Sequence, residues 1–142
     1  MDKVIFKGEQ LGRLIPQRAP IIMVDALFSA DDEGAQTGLS IYKDNIFSDG
    51  KVLTEPGLIE HIAQSASAYA GYKAYKNNLP APIGLIGEVK KFKVHKLPEI
   101  GTSVRTNISI ISEVLNVTLI KGEVYNNDEI VASCQMKIFI KE

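Results

Sequence analysis

Residues 54–80 read TEPGLIEHIAQSASAYAGYKAYKNNLP, and the shape of the whole chain turns on them. Thr54 suits an N-cap and Pro56 the first turn, where its missing N–H costs nothing. Asn77 and Asn78 followed by Pro80 form a stop. Between these signals the spacing predicts one helix from Pro56 to Lys76, roughly 30 Å long at ~1.5 Å per residue. Ile59, Ala63, Ala66, Ala70 and Ala74 recur at three- and four-residue steps. They predict a face of mostly small side chains that lets something approach the helix axis closely.

On either side of this helix the sequence reads as strand. Residues 1–15 are expected to form a helical or irregular lead-in, with Leu11, Leu14 and Ile15 free to pack. IIMVDALFSA (21–30) is β-branched and apolar enough for a strand. Asp31 to Gly34 read as a turn, and GAQTGLSIYK (34–43) as the returning strand of a hairpin. KDNIFSDGKVLT (43–54) is a polar loop. Beyond the helix come IGLIGEVKKFKVHKL (83–97), TSVRTNISIIS (102–112), NVTLIKGEVY (116–125) and EIVASCQMKIFIK (129–141). Short polar turns join the last three, which predicts an antiparallel meander. Two strands, one long helix and four more strands make an α+β pattern in which one sheet covers one helix.

Composition narrows the function. At 142 residues, with no linker or repeat, the chain is expected to be one domain over 1–142. A net charge of −1 gives no global pull towards nucleic acid or an acidic membrane. The polar start MDKVIFKGEQ does not fit a signal peptide, and no apolar run approaches the ~20 residues of a membrane span, so a cytoplasmic protein is expected. Cys134 has no second cysteine to pair with and reads as a small buried hydrophobe. Two histidines, His61 and His95, are too few for a histidine-based metal site, and neither a metal nor a bound cofactor is expected. Asn107 and Asn116 head Asn-x-Ser/Thr triplets that have no meaning without secretion. Tyr69, Tyr72 and Tyr75 fall at helical steps and read as packing.

Three stretches, taken in order, resemble a known family. LIPQRAPIIMVD (14–25) is similar to a Leu-Pro-His-Arg-x-Pro motif ending in Val-Asp. PGLIEHIAQ (56–64) resembles a Pro-Gly followed by Glu-x-x-Ala-Gln, and IGEVKKFKVHKLPEIGTSV (86–104) a strand carrying Phe, basic residues, then Leu-Pro and Gly. Together they resemble the hot-dog 3-hydroxyacyl-[acyl-carrier-protein] dehydratases over residues 11–142. The wording SDGKVLTEPGLIEHIAQ (48–64) is closest to the dehydratase-like proteins of aryl polyene and related pigment clusters.

The resemblance implies an antiparallel sheet wrapped around one central helix, and two such subunits, identical or different, joined edge to edge. It implies an acyl tunnel at their interface and a 3-hydroxyacyl thioester substrate on the phosphopantetheine of an acyl carrier protein. Residue by residue it makes Glu60 the catalytic carboxylate. Gln64, one turn on, becomes its supporting hydrogen-bond partner, and Gly57 and Phe92 become substrate contacts. A carboxylate near a helix start also sits in a favourable dipole field.

Two departures stand out. The loop ahead of the helix, NIFSDGKVLTEPG (45–57), lacks the family's catalytic histidine. Gly57 also stands three residues before Glu60, where the usual dehydratases have five. General acid–base groups contribute about 10²–10⁴-fold each, so that loss matters. Gln17 replaces a histidine that is not the catalytic one. His61 projects about 100° around the helix from Glu60 and is expected to serve packing or a dimer contact. His95 is expected to share a strand face with Lys91 and Lys93, within reach of a tunnel mouth.

Lys90, Lys91, Lys93 and Lys96 form the densest basic cluster, which would steer an acidic carrier protein or simply blunt a strand edge. Three activities stay open: dehydration, a catalytically silent subunit that binds acyl chains or supports an active partner, and thioester hydrolysis.

Overall fold

The computed structural model describes residues 4–141; residues 1–3 of the expected lead-in lie outside them, as does residue 142. The elements run β1 (Phe6–Lys7), a 3₁₀ segment (Gly8–Arg13), β2 (Ala26–Ala30), β3 (Gly34–Ser40), α1 (Glu55–Lys76), β4 (Ile83–Val94), β5 (Ser103–Val114), β6 (Val117–Asn126) and β7 (Glu129–Lys141). The strands form one antiparallel sheet in the order β1-β2-β3-β5-β6-β7-β4, and α1 packs across its face against β3 and β5. This is the expected α+β architecture, with the helix wrapped by the sheet. Leu58 and Ile62 of the helix meet Leu27, Ile108, Ile120 and Met136 of the strands in a continuous core, and Leu11, Leu14 and Ile15 close it from the lead-in.

One sequence expectation is corrected and two gain detail. The strand read over 21–30 begins only at Ala26, because helix side chains take the hydrogen-bonding groups of Ile21 and Met23. The Ile21 carbonyl accepts from the Gln64 amide at 2.7 Å, and the Met23 N–H donates to Gln64 Oε1 at 2.6 Å. A segment whose backbone is satisfied that way has nothing left for a ladder. The last three strands do form the meander, but β4 pairs with β7 at the far edge of the sheet. And Thr54 occupies the N-cap position, yet its hydroxyl donates to the Phe47 carbonyl at 2.6 Å rather than to the first helical turn, tying the preceding loop to the helix start.

Helix α1 comes unusually close to the lead-in at Gly71. A Cβ there would lie 2.0 Å from the Leu14 carbonyl oxygen, so only glycine fits. The helix ends as its stop signal predicts, with Asn78 taking the left-handed turn at φ +56°.

Candidate active site

Glu60 sits in the second turn of α1, half-buried, with Gln64 one turn further on. The Gln64 Nε2 donates to Glu60 Oε1 at 2.8 Å, as the i, i+4 spacing predicts. Gln64 itself is fully buried. Its Oε1 accepts from Met23 N–H and its Nε2 also donates to Ile21 O, which fixes which end of the amide faces the carboxylate.

A crevice of about 430 Å³ opens beside Glu60, within the size range of small-molecule sites. Its floor is the helix stripe Ala63, Ala66, Ser67 and Ala70. Its walls are Leu85 and Ile86 of β4, Ile110 of β5, Ile120 of β6, and Ile138 and Ile140 of β7. Three members of the small-residue face read from the sequence, Ala63, Ala66 and Ala70, therefore line an open groove, while Ala66 also joins the buried core and Ile59 packs against it. From Glu60 at one end to Lys73 at the other the groove follows thirteen residues of helix, about 20 Å.

Gln17, set aside on sequence, also lines the groove. Arg18 holds that stretch by donating to the carbonyls of Gly12 at 2.9 Å, Ile15 at 2.7 Å and Gln17 at 2.8 Å. The signal for Gln17 was its place in the motif ahead of the first long strand. For Ser67 it was the i+7 spacing from Glu60.

The remaining expected site residues lie elsewhere. Gly57 is buried beneath Phe47 and Leu53, where a Cβ would come within 2.7 Å of both, and it does not line the groove. Phe92 is half-buried against the core, also outside the groove. Lys90, Lys91, Lys93 and Lys96 are exposed along the second half of β4 and the residues after it. Lys90 pairs with Glu88 at 3.3 Å. Lys91 is the extra residue of a bulge between Lys90 and Lys93, at φ +53°, so the simple alternation that would join it to Lys93 and His95 on one face is broken. His95 is exposed and away from the groove.

His61 is fully buried inside this one chain, which excludes the dimer-contact reading and leaves packing. Its Nδ1 lies 2.6 Å from Met23 O and its Nε2 2.6 Å from Thr106 Oγ1. Burial pushes its pKa down to about 4, against the opposing pull of the Met23 carbonyl, so the ring is neutral. Cys134 is buried in β7, and burial pushes its thiol up to about 11, which suits an inert core residue. Tyr69 is buried with its hydroxyl donating to the Asp31 carbonyl, and Tyr72 and Tyr75 meet Phe6 edge to face. Among the described residues no three His, Cys, Asp or Glu side chains gather as a metal cage, and no helix is long and apolar enough to cross a membrane.

Comparison with protein families decides the kinship. The family of ApeP-like dehydratases, described as ApeP dehydratase, matches residues 9–142. The chain belongs to that family. Among solved structures it is similar to the dehydratase heterocomplex ApeI:P from Xenorhabdus doucetiae, with a TM-score of 0.81 and 13% identity over 93% of this chain and 91% of that one. It is also similar to a hypothetical thioesterase with coenzyme A from Streptococcus pneumoniae (TM-score 0.65, 7% identity, 81% and 84% covered). A third likeness is the PaaI protein of the E. coli phenylacetic acid degradation operon (TM-score 0.61, 10% identity, 80% of each chain). At such identities these likenesses show the fold alone. Comparison with curated protein sequences gives no match. The ApeP-like family and the hot-dog neighbours bear out the resemblance to hot-dog dehydratases of the aryl polyene type.

Proposed function

We propose that this ApeP-like chain takes part in removing water from a 3-hydroxyacyl thioester carried on the phosphopantetheine of an acyl carrier protein, with Glu60 as acid/base. The observation that carries the reading is a carboxylate held by a fixed amide at the head of an apolar, small-floored groove. An acyl chain laid along Ala63, Ala66 and Ala70 brings its thioester end to Glu60. Elimination moves a proton off Cα and another onto the leaving hydroxyl, so two groups must handle protons.

Among the residues lining the groove there is no histidine, and Lys73 stands at the opposite end from Glu60. Ser67, Tyr69 and Glu113 also line the groove, with the Tyr69 hydroxyl engaged by the Asp31 carbonyl, and this reading assigns the second group to another subunit. Strand β4 offers the place for one. It is an edge strand, and its first half exposes Ile83, Leu85 and Ile86, two of which also wall the groove. A second hot-dog subunit paired there would cover this apolar edge and turn the groove into a tunnel. Lys90, Lys91, Lys93 and Lys96, further along the same strand, supply positive charge to steer an acidic carrier protein, and the reaction takes place in the cytoplasm.

The absence of a histidine in the loop at 45–57 favours a second reading, a silent subunit that binds the acyl chain while its partner does the chemistry. One experiment separates the two. The protein, alone and with a co-purified hot-dog partner, is incubated with 3-hydroxyacyl-carrier protein. Enoyl product that falls by at least about 100-fold on Glu60→Gln supports dehydration through Glu60. Product unaffected by that substitution supports the silent subunit, and release of free acid supports thioester hydrolysis.

A further inference from the structure

We propose that His61 is a positioning residue for the Glu60 carboxylate, acting through the backbone of Met23 and the Gln64 amide; this rests on the dehydratase reading of Glu60. His61 and Glu60 are sequence neighbours that face different ways, yet hydrogen bonds connect them. Glu60 Oε1 accepts from Gln64 Nε2 at 2.8 Å, Gln64 Oε1 accepts from Met23 N–H at 2.6 Å, and Met23 O lies 2.6 Å from His61 Nδ1.

The direction of every bond is forced. Met23 O can only accept, so Nδ1 carries the imidazole proton. In a neutral ring Nε2 must then accept, and Thr106 Oγ1, 2.6 Å away on β5, donates to it. The ring is thus a rigid strut between the sheet and the carbonyl of an irregular segment. That segment has no ladder of its own at Met23, because strand β2 starts only at Ala26. His61 and Gln64 hold opposite sides of the same residue, its carbonyl and its N–H.

The clamp is closed on all sides. His61, Gln64, Ser65, Thr37 and Thr106 are each fully buried. Ser65 Oγ donates to the His61 carbonyl at 2.7 Å and accepts from Thr37 Oγ1, also at 2.7 Å. If Met23 turned, Gln64 Oε1 would lose its donor and the Ile21 carbonyl would be the amide's one remaining backbone anchor, so the Nε2 bond to Glu60 would be held less firmly in place. A misplacement of about 1 Å near a reacting group costs on the order of 10²-fold in rate.

Two near-isosteric variants test this, because the Asn amide nitrogen overlays Nδ1 of the ring and the Gln amide nitrogen overlays Nε2. His61→Asn keeps a donor for Met23 O; His61→Gln keeps only the contact to Thr106. Each is assayed with the hot-dog partner present. His61→Gln is expected to lower kcat by about 10- to 100-fold with KM within about twofold, while His61→Asn retains kcat within about threefold. By NMR, His61→Gln speeds exchange of the Met23 amide at least about tenfold and moves the Gln64 side-chain NH₂ signals towards the positions of a free amide. Equal kcat and equal Met23 exchange in the two variants, at matched melting temperatures, would overturn the proposal. So would a Met23 amide that stays protected in His61→Gln. If the native protein yields no enoyl product with any partner, the dehydratase reading falls, and the Met23 and Gln64 signals still decide whether the clamp exists.

Discussion

Glu60 would be an ordinary first-turns acid were Gln64 free to rotate. The i, i+4 spacing made the pair legible in the sequence, since the helix alone brings them together. What the spacing could not reveal is why the amide points one way. Its fixing partners, the Ile21 carbonyl and the Met23 N–H, are backbone groups some forty residues earlier in the chain, and backbone donors and acceptors leave no trace in composition. His61 was harder still: a polar residue read as facing away turned out to be buried between two hydrogen-bond partners. That burial has a consequence for stability.

His61 titrates near 6.5 when unfolded and near 4 in the fold. Between those values the unfolded chain binds the extra proton, so stability is present above pH 6.5 and drains away as the pH falls towards 4. The difference between pH 7 and pH 5 amounts to about 2 kcal/mol. Asp25 works in the opposite sense. Burial pushes its carboxyl up, against the Ser40 hydrogen bonds and the Lys7 charge, so it favours the folded state as acid is added. Comparing native protein with His61→Gln removes the Asp25 contribution. Urea unfolding at the two pH values is expected to show native protein losing about 2 kcal/mol more than the variant. Parallel losses would mean that the ring is not held neutral.

At the scale of the element, helix α1 is the best-read part of the chain and also the most misleading. Its limits were legible from Thr54, Pro56 and the Asn77–Pro80 stop. Its faces were not. Periodicity picked out the small-residue face, but not that His61, Gln64 and Ser65 would join Leu58 and Ile62 on the buried side, where each finds a polar partner. The alanine stripe is left to floor the groove. Buried polar groups with complete hydrogen bonding look, in sequence, the same as exposed ones.

Close packing of α1 does show at one position. Gly71→Ala would raise intrinsic helix propensity by about 1 kcal/mol. It would also place a methyl 2.0 Å from the Leu14 carbonyl oxygen, a backbone atom that cannot swing aside. Overpacking of this kind costs about 1–3 kcal/mol or more, so the clash wins. A clash this short with a backbone atom sits at the upper end of that cost, so thermal unfolding is expected to show a net loss of about 1–2 kcal/mol, with the lead-in segment 8–15 loosened first. A variant as stable as native would show that the lead-in yields to the helix.

Across the whole molecule the two sheet edges differ sharply. Strand β1 is two residues long and ends in Lys7, which leaves little to pair with. Strand β4 is twelve residues long and divided: an apolar first half beside the groove, a lysine-rich second half carrying the bulge at Lys91. This placement was only partly legible. Alternation told which residues were strand, but a strand's own pattern does not name its neighbour, and β4 lies next to β7 although β5 follows it in sequence.

The exposed apolar half makes a sharp test possible. Leu85 lies opposite Phe139 of β7, and both are exposed, at 57% and 42%, so a charge at position 85 is solvated in the isolated chain. Joined edge to edge with a second subunit, the same charge would be buried without a partner, which costs several kcal/mol. Leu85→Lys is therefore expected to leave the melting temperature of the isolated chain within about 2 °C and to weaken subunit association by at least about tenfold, some 1.4 kcal/mol. Light scattering over a dilution series reads the association. If the second proton-handling group arrives with the partner, as proposed, dehydration should fall at least in proportion to the lost complex, since Leu85 also walls the groove. Full activity in a chain that no longer associates would place that group within this subunit and remove the need for an edge partner.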